Sequence, residues 1–186
     1  SNVPMPMQED TALPWEEDYI HEFTRSGTEP LSLAVRLAIA EHSCVDSPEV
    51  LMPAYGCPDL VAAVVAQGAT PVLVDLADHQ TPFMSIHGVE AAITCNTVAI
   101  IAVGFLGLPE RLEALADVAR ANTLLLIEDS AQCFPPKSIE AGCSEADLIV
   151  LSFGRGKPIN LMGGGALLIR KDHQERFLPI LSCYPV

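Results

Sequence analysis

The sequence predicts an α/β domain of three layers, a mostly parallel sheet between helices with one antiparallel strand near the C-terminus. Three observations lead there. Short apolar runs alternate with helical segments along the chain, and that alternation is the pattern of a layered α/β domain. Several of the runs are apolar at every position, as strands covered on both faces by helices must be. Finally, the link between the last two runs is about ten residues rich in Gly and Pro, too short and broken for a helical crossover.

The helices are expected at Pro30–His42, Pro58–Gln67 and Pro109–Ala121. Each has Pro near its first turn, where a missing N–H does no harm, and the second and third stop at Gly68 and Asn122. The strands are expected at Val50–Met52, Pro71–Asp75, Val98–Val103, Leu124–Ile127, Leu148–Phe153 and Ala166–Ile169. The strand from Ala166 should run antiparallel to the one ending at Phe153. The loop between them, with Asp129, Asp75 and the Pro53-Ala54-Tyr55 turn, then falls at the carboxyl edge of the parallel strands, where open α/β sheets bind ligands.

Bulk properties narrow the function. With 186 residues, 49% of them hydrophobic and 18% charged, the chain can build one sizeable core. A formal charge of −14 without a basic stripe argues against nucleic acid as a partner. No apolar stretch reaches the length of a membrane helix, so no membrane role is expected. The first residues lack the basic and apolar regions of a signal peptide. Six cysteines without CxxC spacing read as reduced, mostly buried thiols of a cytoplasmic protein. With five dispersed histidines, they give no metal site.

The chemistry concentrates on a lysine and an acid. Lys157 follows one apolar run in Ser152-Phe153-Gly154-Arg155-Gly156-Lys157 and precedes Gly163-Gly164-Gly165. Asp129 ends another apolar run, Leu124-Leu125-Leu126-Ile127-Glu128-Asp129. A lysine there can act as a nucleophile that carries a Schiff-base cofactor, and a buried acid can keep the ring of such a cofactor protonated. The plainer readings are a solvated loop lysine and an acid that caps the next loop. Glu128, on the opposite face by strand alternation, reads as structural. Arg155 either binds an anion or faces solvent.

Ser26-Gly27-Thr28-Glu29-Pro30 opens a helix, so the Thr28 and Glu29 amides and the Thr28 hydroxyl could hold a phosphate. An ordinary N-cap at Ser26 or Thr28 explains the same residues. Ser152 could offer a hydroxyl to the same phosphate. The glycines around Lys157 are not a P-loop, because no GxxxxGK[ST] is present.

Taken together these residues resemble the fold-type-I pyridoxal-phosphate enzymes, most closely the DegT-type sugar aminotransferases. Ser-Gly-Thr before a helix, Pro53-Ala54-Tyr55, Gly68 to Asp75, Glu128-Asp129-Ser130-Ala131-Gln132, and Ser152-Phe153 three residues before Lys157 stand in the family's order, over roughly Phe23 to Asp172. The resemblance implies the large domain of such an enzyme, with pyridoxal 5'-phosphate as cofactor. It makes Lys157 the Schiff-base lysine and Asp129 the partner of the pyridine nitrogen. Gln132 becomes the contact to the phenolic oxygen, and Gly27, Thr28, Glu29 and Ser152 the phosphate cradle.

The implied reaction transfers an amino group, commonly from glutamate, to a keto group on a nucleotide-linked sugar, in a homodimer. Other pyridoxal-phosphate reactions, such as elimination or desulfurisation, and a truncated non-catalytic relative are the alternatives. Three departures stand out. Cys57 occupies the place of the aromatic that stacks on the cofactor ring, with Tyr55 as the candidate substitute. The family's Val-His at a strand end is Val103-Gly104 here. Family enzymes are also about twice as long, so residues 1–22 read as an N-terminal arm, 23–175 as the cofactor-binding domain and 176–186 as the start of a small C-terminal domain.

Overall fold

The computed structural model describes residues 13–140 and 145–182. Its elements, in chain order, are β1 (Tyr19–Thr24), α1 (Thr28–Glu41), β2 (Glu49–Pro53), α2 (Pro58–Ala66), β3 (Thr70–Val74), α3 (Ile86–Ala92), β4 (Thr97–Val103), α4 (Leu112–Ala121), β5 (Leu125–Asp129), α5 (Lys137–Glu140), β6 (Leu148–Ser152), β7 (Gly165–Arg170) and α6 (Gln174–Leu181). One seven-stranded sheet runs in the order β1-β7-β6-β5-β4-β2-β3. The β3-β2-β4-β5-β6 pairs are parallel, whereas β7 lies antiparallel to both β6 and β1. The expected antiparallel strand is therefore β7.

Alternation along the strands divides the core in two. Leu125 and Ile127 of β5, Leu148 and Val150 of β6, and Leu167 and Ile169 of β7 pack with Leu31, Leu37, Leu60 and Phe177 from α1, α2 and α6. The residues between them, Leu126, Ile149, Leu151 and Leu168, pack with Val89 of α3 and Leu112 and Leu115 of α4 on the other face. A sheet sealed on both faces explains why its strands read as unbroken apolar runs.

Several expectations change in detail. The helix expected from Pro109 starts at Leu112. Glu110 explains the delay: its buried carboxylate accepts the Met84 N–H at 2.9 Å and its own neighbour's Arg111 N–H at 2.8 Å, so this stretch is a strap tied to the loop before α3. The cysteines are also not mostly buried among the described residues. Cys44, Cys57 and Cys95 are exposed and only Cys133 is buried, because the first three sit in turns at helix and strand ends. Cys143, Cys183 and the first twelve residues of the expected N-terminal arm lie outside the described residues, as do 183–186.

Candidate active site

The parallel strands deliver their last residues to one edge. β4 ends at Val103, β5 at Asp129 and β6 at Ser152, and the register places Asp129 between Val103 and Val150. Asp129 shares the α1 face with Ile127, so its side chain lies on the side where α1 begins. The Lys157 loop closes over the same edge. It is folded by hydrogen bonds from Lys157 N to Gly154 O, from Leu161 N to Phe153 O and from Phe153 N to Gly164 O. Gly156 within it has φ +75°, a left-handed conformation that a side chain resists.

These elements enclose a cavity of about 130 Å³. Of the residues singled out by sequence, Gly27, Thr28, Cys57, Asp129, Gln132, Ser152 and Lys157 line it. Tyr55 and Glu29 stand outside its wall. Tyr55 is 59% exposed, with its ring edge-on to Phe105 at 5.2 Å. Glu29 turns its carboxylate back onto the Arg25 N–H at 2.8 Å. Asp75 lies at the far end of the sheet, beyond β3, away from the cavity.

Asp129 is 8% exposed, and burial pushes its carboxyl above the usual carboxylate range. The Ala131 N–H, at 2.9 Å, and the Lys157 charge pull in the opposite direction without cancelling the burial. A buried carboxylate in this condition is short of positive partners, which a ring N–H⁺ would supply. Gln132 is oriented by Leu106, whose N–H donates to Oε1 at 3.2 Å. That fixes the amide oxygen and leaves Nε2–H as the donating end, which a phenolate oxygen needs.

The start of α1 holds both readings of its sequence at once. Ser26 Oγ accepts the Glu29 N–H at 3.3 Å, as a cap would. Pro30 has no N–H, so the Thr28 N–H is the amide of this turn left for a ligand. Gly27 presses on Ser152: a Cβ at 27 would fall 2.2 Å from Ser152 Oγ and 2.6 Å from its Cβ. Only a glycine lets the helix start and the end of β6 meet closely enough to grip one anion.

The neighbouring acid has a different task. Glu128 is buried and accepts from Ser130 Oγ at 2.9 Å, Lys137 N at 2.6 Å and Ser138 N at 3.2 Å. It pins the loop after β5 on the opposite face, as the alternation of the strand requires. Arg155 is exposed and lies beside a second, shallow hollow shared with Lys157 and Leu106.

Two features of the wall were not read from sequence. Gly104 approaches Cys133 so closely that a Cβ there would meet Sγ at 2.6 Å, so the Cys133 thiol fills the space of a missing side chain. Burial pushes that thiol up. The second is Asp59, which lines the cavity and accepts the Thr28 hydroxyl at 2.8 Å. Among the described residues no group of His, Cys, Asp and Glu could hold a metal ion.

The DegT/DnrJ/EryC1/StrS aminotransferase family matches residues 23–184. The chain belongs to that family. It is 36% identical over 149 residues to UDP-N-acetyl-3-dehydro-alpha-D-glucosamine 3-aminotransferase of Acidithiobacillus ferrooxidans, an alignment covering 79% of this chain and 39% of that protein. It is 31% identical over 142 residues to GDP-perosamine synthase of Escherichia coli O157:H7, covering 76% and 38%. Among solved structures it is similar to NtdA from Bacillus subtilis with bound cofactor PMP, at 27% identity and a TM-score of 0.70, covering 82% of this chain and 34% of that one. The chain thus spans well under half the length of these relatives. The fold-type-I large domain expected from sequence is the fold observed.

Proposed function

We propose that this chain is the cofactor-binding domain, here residues 23–175, of a pyridoxal-phosphate-dependent aminotransferase. Its amino donor would be a small molecule, commonly glutamate, and its acceptor a keto group on a nucleotide-linked sugar. The observation that carries this reading is one cavity lined by Lys157, Asp129, Gln132, Ser152 and Gly27 together. Both named sugar-aminotransferase relatives support the acceptor class.

The residues fit the cofactor. The close approach of Gly27 to Ser152, with the Thr28 amide, suits a phosphate. The buried Asp129 suits a protonated ring nitrogen, and the Nε2 end of Gln132 suits a phenolic oxygen. Lys157 would hold the cofactor covalently and, once released, move a proton through Nζ. When bound, pyridoxal phosphate supplies the electron sink for the amino-bearing carbon. Asp129 would keep that sink charged.

Support for a homodimer comes from apolar side chains exposed on the loops at this edge, namely Leu106, Leu108, Phe134, Leu161 and Met162. A second copy could cover them. No helix among the described residues is long and apolar enough to cross a membrane. The exposed thiols of Cys44, Cys57 and Cys95 suit the reducing cytoplasm.

The test is a half-reaction. Chain loaded with pyridoxal phosphate is given glutamate alone, and 2-oxoglutarate is measured against bound cofactor, in the full-length protein as well as in this chain. Stoichiometric 2-oxoglutarate supports transamination. A loaded full-length protein that forms none, or that eliminates or decarboxylates amino acids instead, refutes it.

A further inference from the structure

Asp59 is an exposed carboxylate at the end of the cavity where Gly27, Thr28 and Ser152 meet. It is the second residue of α2, and its Oδ2 accepts the Thr28 hydroxyl at 2.8 Å while both side chains line the cavity with Ser152 and Gly27. An ionised carboxylate can only accept, so the hydrogen bond has one direction: Thr28 gives its proton to Asp59. To donate to a phosphate instead, Thr28 must release Asp59. Left in place, it turns a lone pair toward the anion. Either way the carboxylate remains within two hydrogen-bond lengths of any phosphate oxygen on Thr28, and like charges at that range repel.

We infer that Asp59 is a specificity residue that loosens the phosphate cradle, so that the cofactor is retained chiefly through its covalent link to Lys157. The inference rests on the cofactor reading above. Its consequence is an asymmetry between the two forms of the cofactor. The aldehyde form is secured by Lys157 and tolerates a weak phosphate grip. The amine form has no such link and depends on the cradle, so this chain releases it readily.

The experiment measures dissociation constants for pyridoxal phosphate, pyridoxamine phosphate and pyridoxamine in the wild type, Asp59→Asn and Asp59→Ser. Melting curves check that each variant folds. Asn keeps the shape while removing the charge, and both Asn and Ser suit a helix start. The expected result is roughly three- to tenfold tighter binding of pyridoxamine phosphate in both variants, by relief of one nearby, solvent-screened like charge. Pyridoxamine, which lacks the phosphate, should bind as in the wild type.

Unchanged or weaker binding of pyridoxamine phosphate in folded Asp59→Asn overturns the inference. So does an equal gain for pyridoxamine, which would place the effect on the ring. If the wild type binds pyridoxal phosphate on Lys157 while these results fail, only the role of Asp59 is lost. If neither wild type nor variants bind pyridoxal phosphate, the cofactor reading fails and takes this inference with it.

Discussion

Gly27→Ala is the smallest change that should damage the phosphate cradle. The added methyl would lie 2.2 Å from Ser152 Oγ, 2.6 Å from its Cβ and 3.4 Å from its Cα. Rotating the serine side chain removes only the first clash, since Cβ cannot rotate away. The helix start or the end of β6 must therefore move, at about 1–3 kcal/mol for overpacking. Gly27 has φ −73° and ψ −22°, so alanine adds no backbone strain. It regains about 0.4–1 kcal/mol by restricting the unfolded chain. The net expectation is a loss of about 0–2.6 kcal/mol, with weaker phosphate binding.

A double-mutant cycle separates this clash from a general effect. Ser152→Gly removes Oγ and Cβ together, and the closest contact then left to the new methyl is Cα of residue 152 at 3.4 Å, an ordinary packing distance. Gly27→Ala should therefore be near neutral in the Ser152→Gly background, a coupling of at least ~1 kcal/mol in urea unfolding. Additive single changes would refute the geometry of the cradle.

Glu128→Ala strips the acceptor from Ser130, Lys137 and Ser138 and should lower stability by about 2–4 kcal/mol, read from chemical denaturation, because buried donors are left unpaired. Asp129→Asn should leave the protein as stable as wild type or more so at neutral pH, while lowering proton-transfer rates in the loaded full-length enzyme by roughly 10²-fold or more. The sign follows from burial: the folded Asp129 carboxyl lies above its unfolded value of 3.8. Its contribution to stability is therefore complete below 3.8 and lost as pH rises through the elevated folded value. Denaturation at several pH values should show that slope in the wild type and lose it in Asp129→Asn. The Asp59 variants add a fourth prediction, tighter binding of pyridoxamine phosphate.

The central strands and α1, α2 and α4 were legible because burial on both faces writes a dense apolar run and a helix stripe needs few cues. β1 was not. It is an edge strand, Tyr19-Ile20-His21-Glu22-Phe23-Thr24, with only Tyr19 buried, three residues half-buried and Glu22 and Phe23 exposed, so it lacks the apolar signal of its neighbours. α3 has seven residues, a Ser85 cap and a Gly88 inside it, too little for periodicity to show. The placement of Lys157, Asp129 and Ser152 at one sheet edge was legible because each lies at or just after the end of an apolar run, whereas Gln132 came only from the family resemblance. The Cys133–Gly104 exchange was not, although the parallel pairing of Val103 with Asp129 brings those loops together. Gly104 could be noticed in sequence, but what filled its space depended on two loops meeting. Asp59 carries no sequence signal beyond that of an acid in a first helical turn, and its contact with Thr28 depends on how α1 and α2 meet.

The functional reading stands or falls with Lys157 as the cofactor lysine. Incubation with pyridoxal phosphate, borohydride reduction and peptide mapping by mass spectrometry test it directly. One phosphopyridoxyl group per chain is expected, on Lys157, together with its loss in Lys157→Ala at an unchanged melting curve. A label placed first on Lys137 or Lys171, or no label on folded protein, would contradict it.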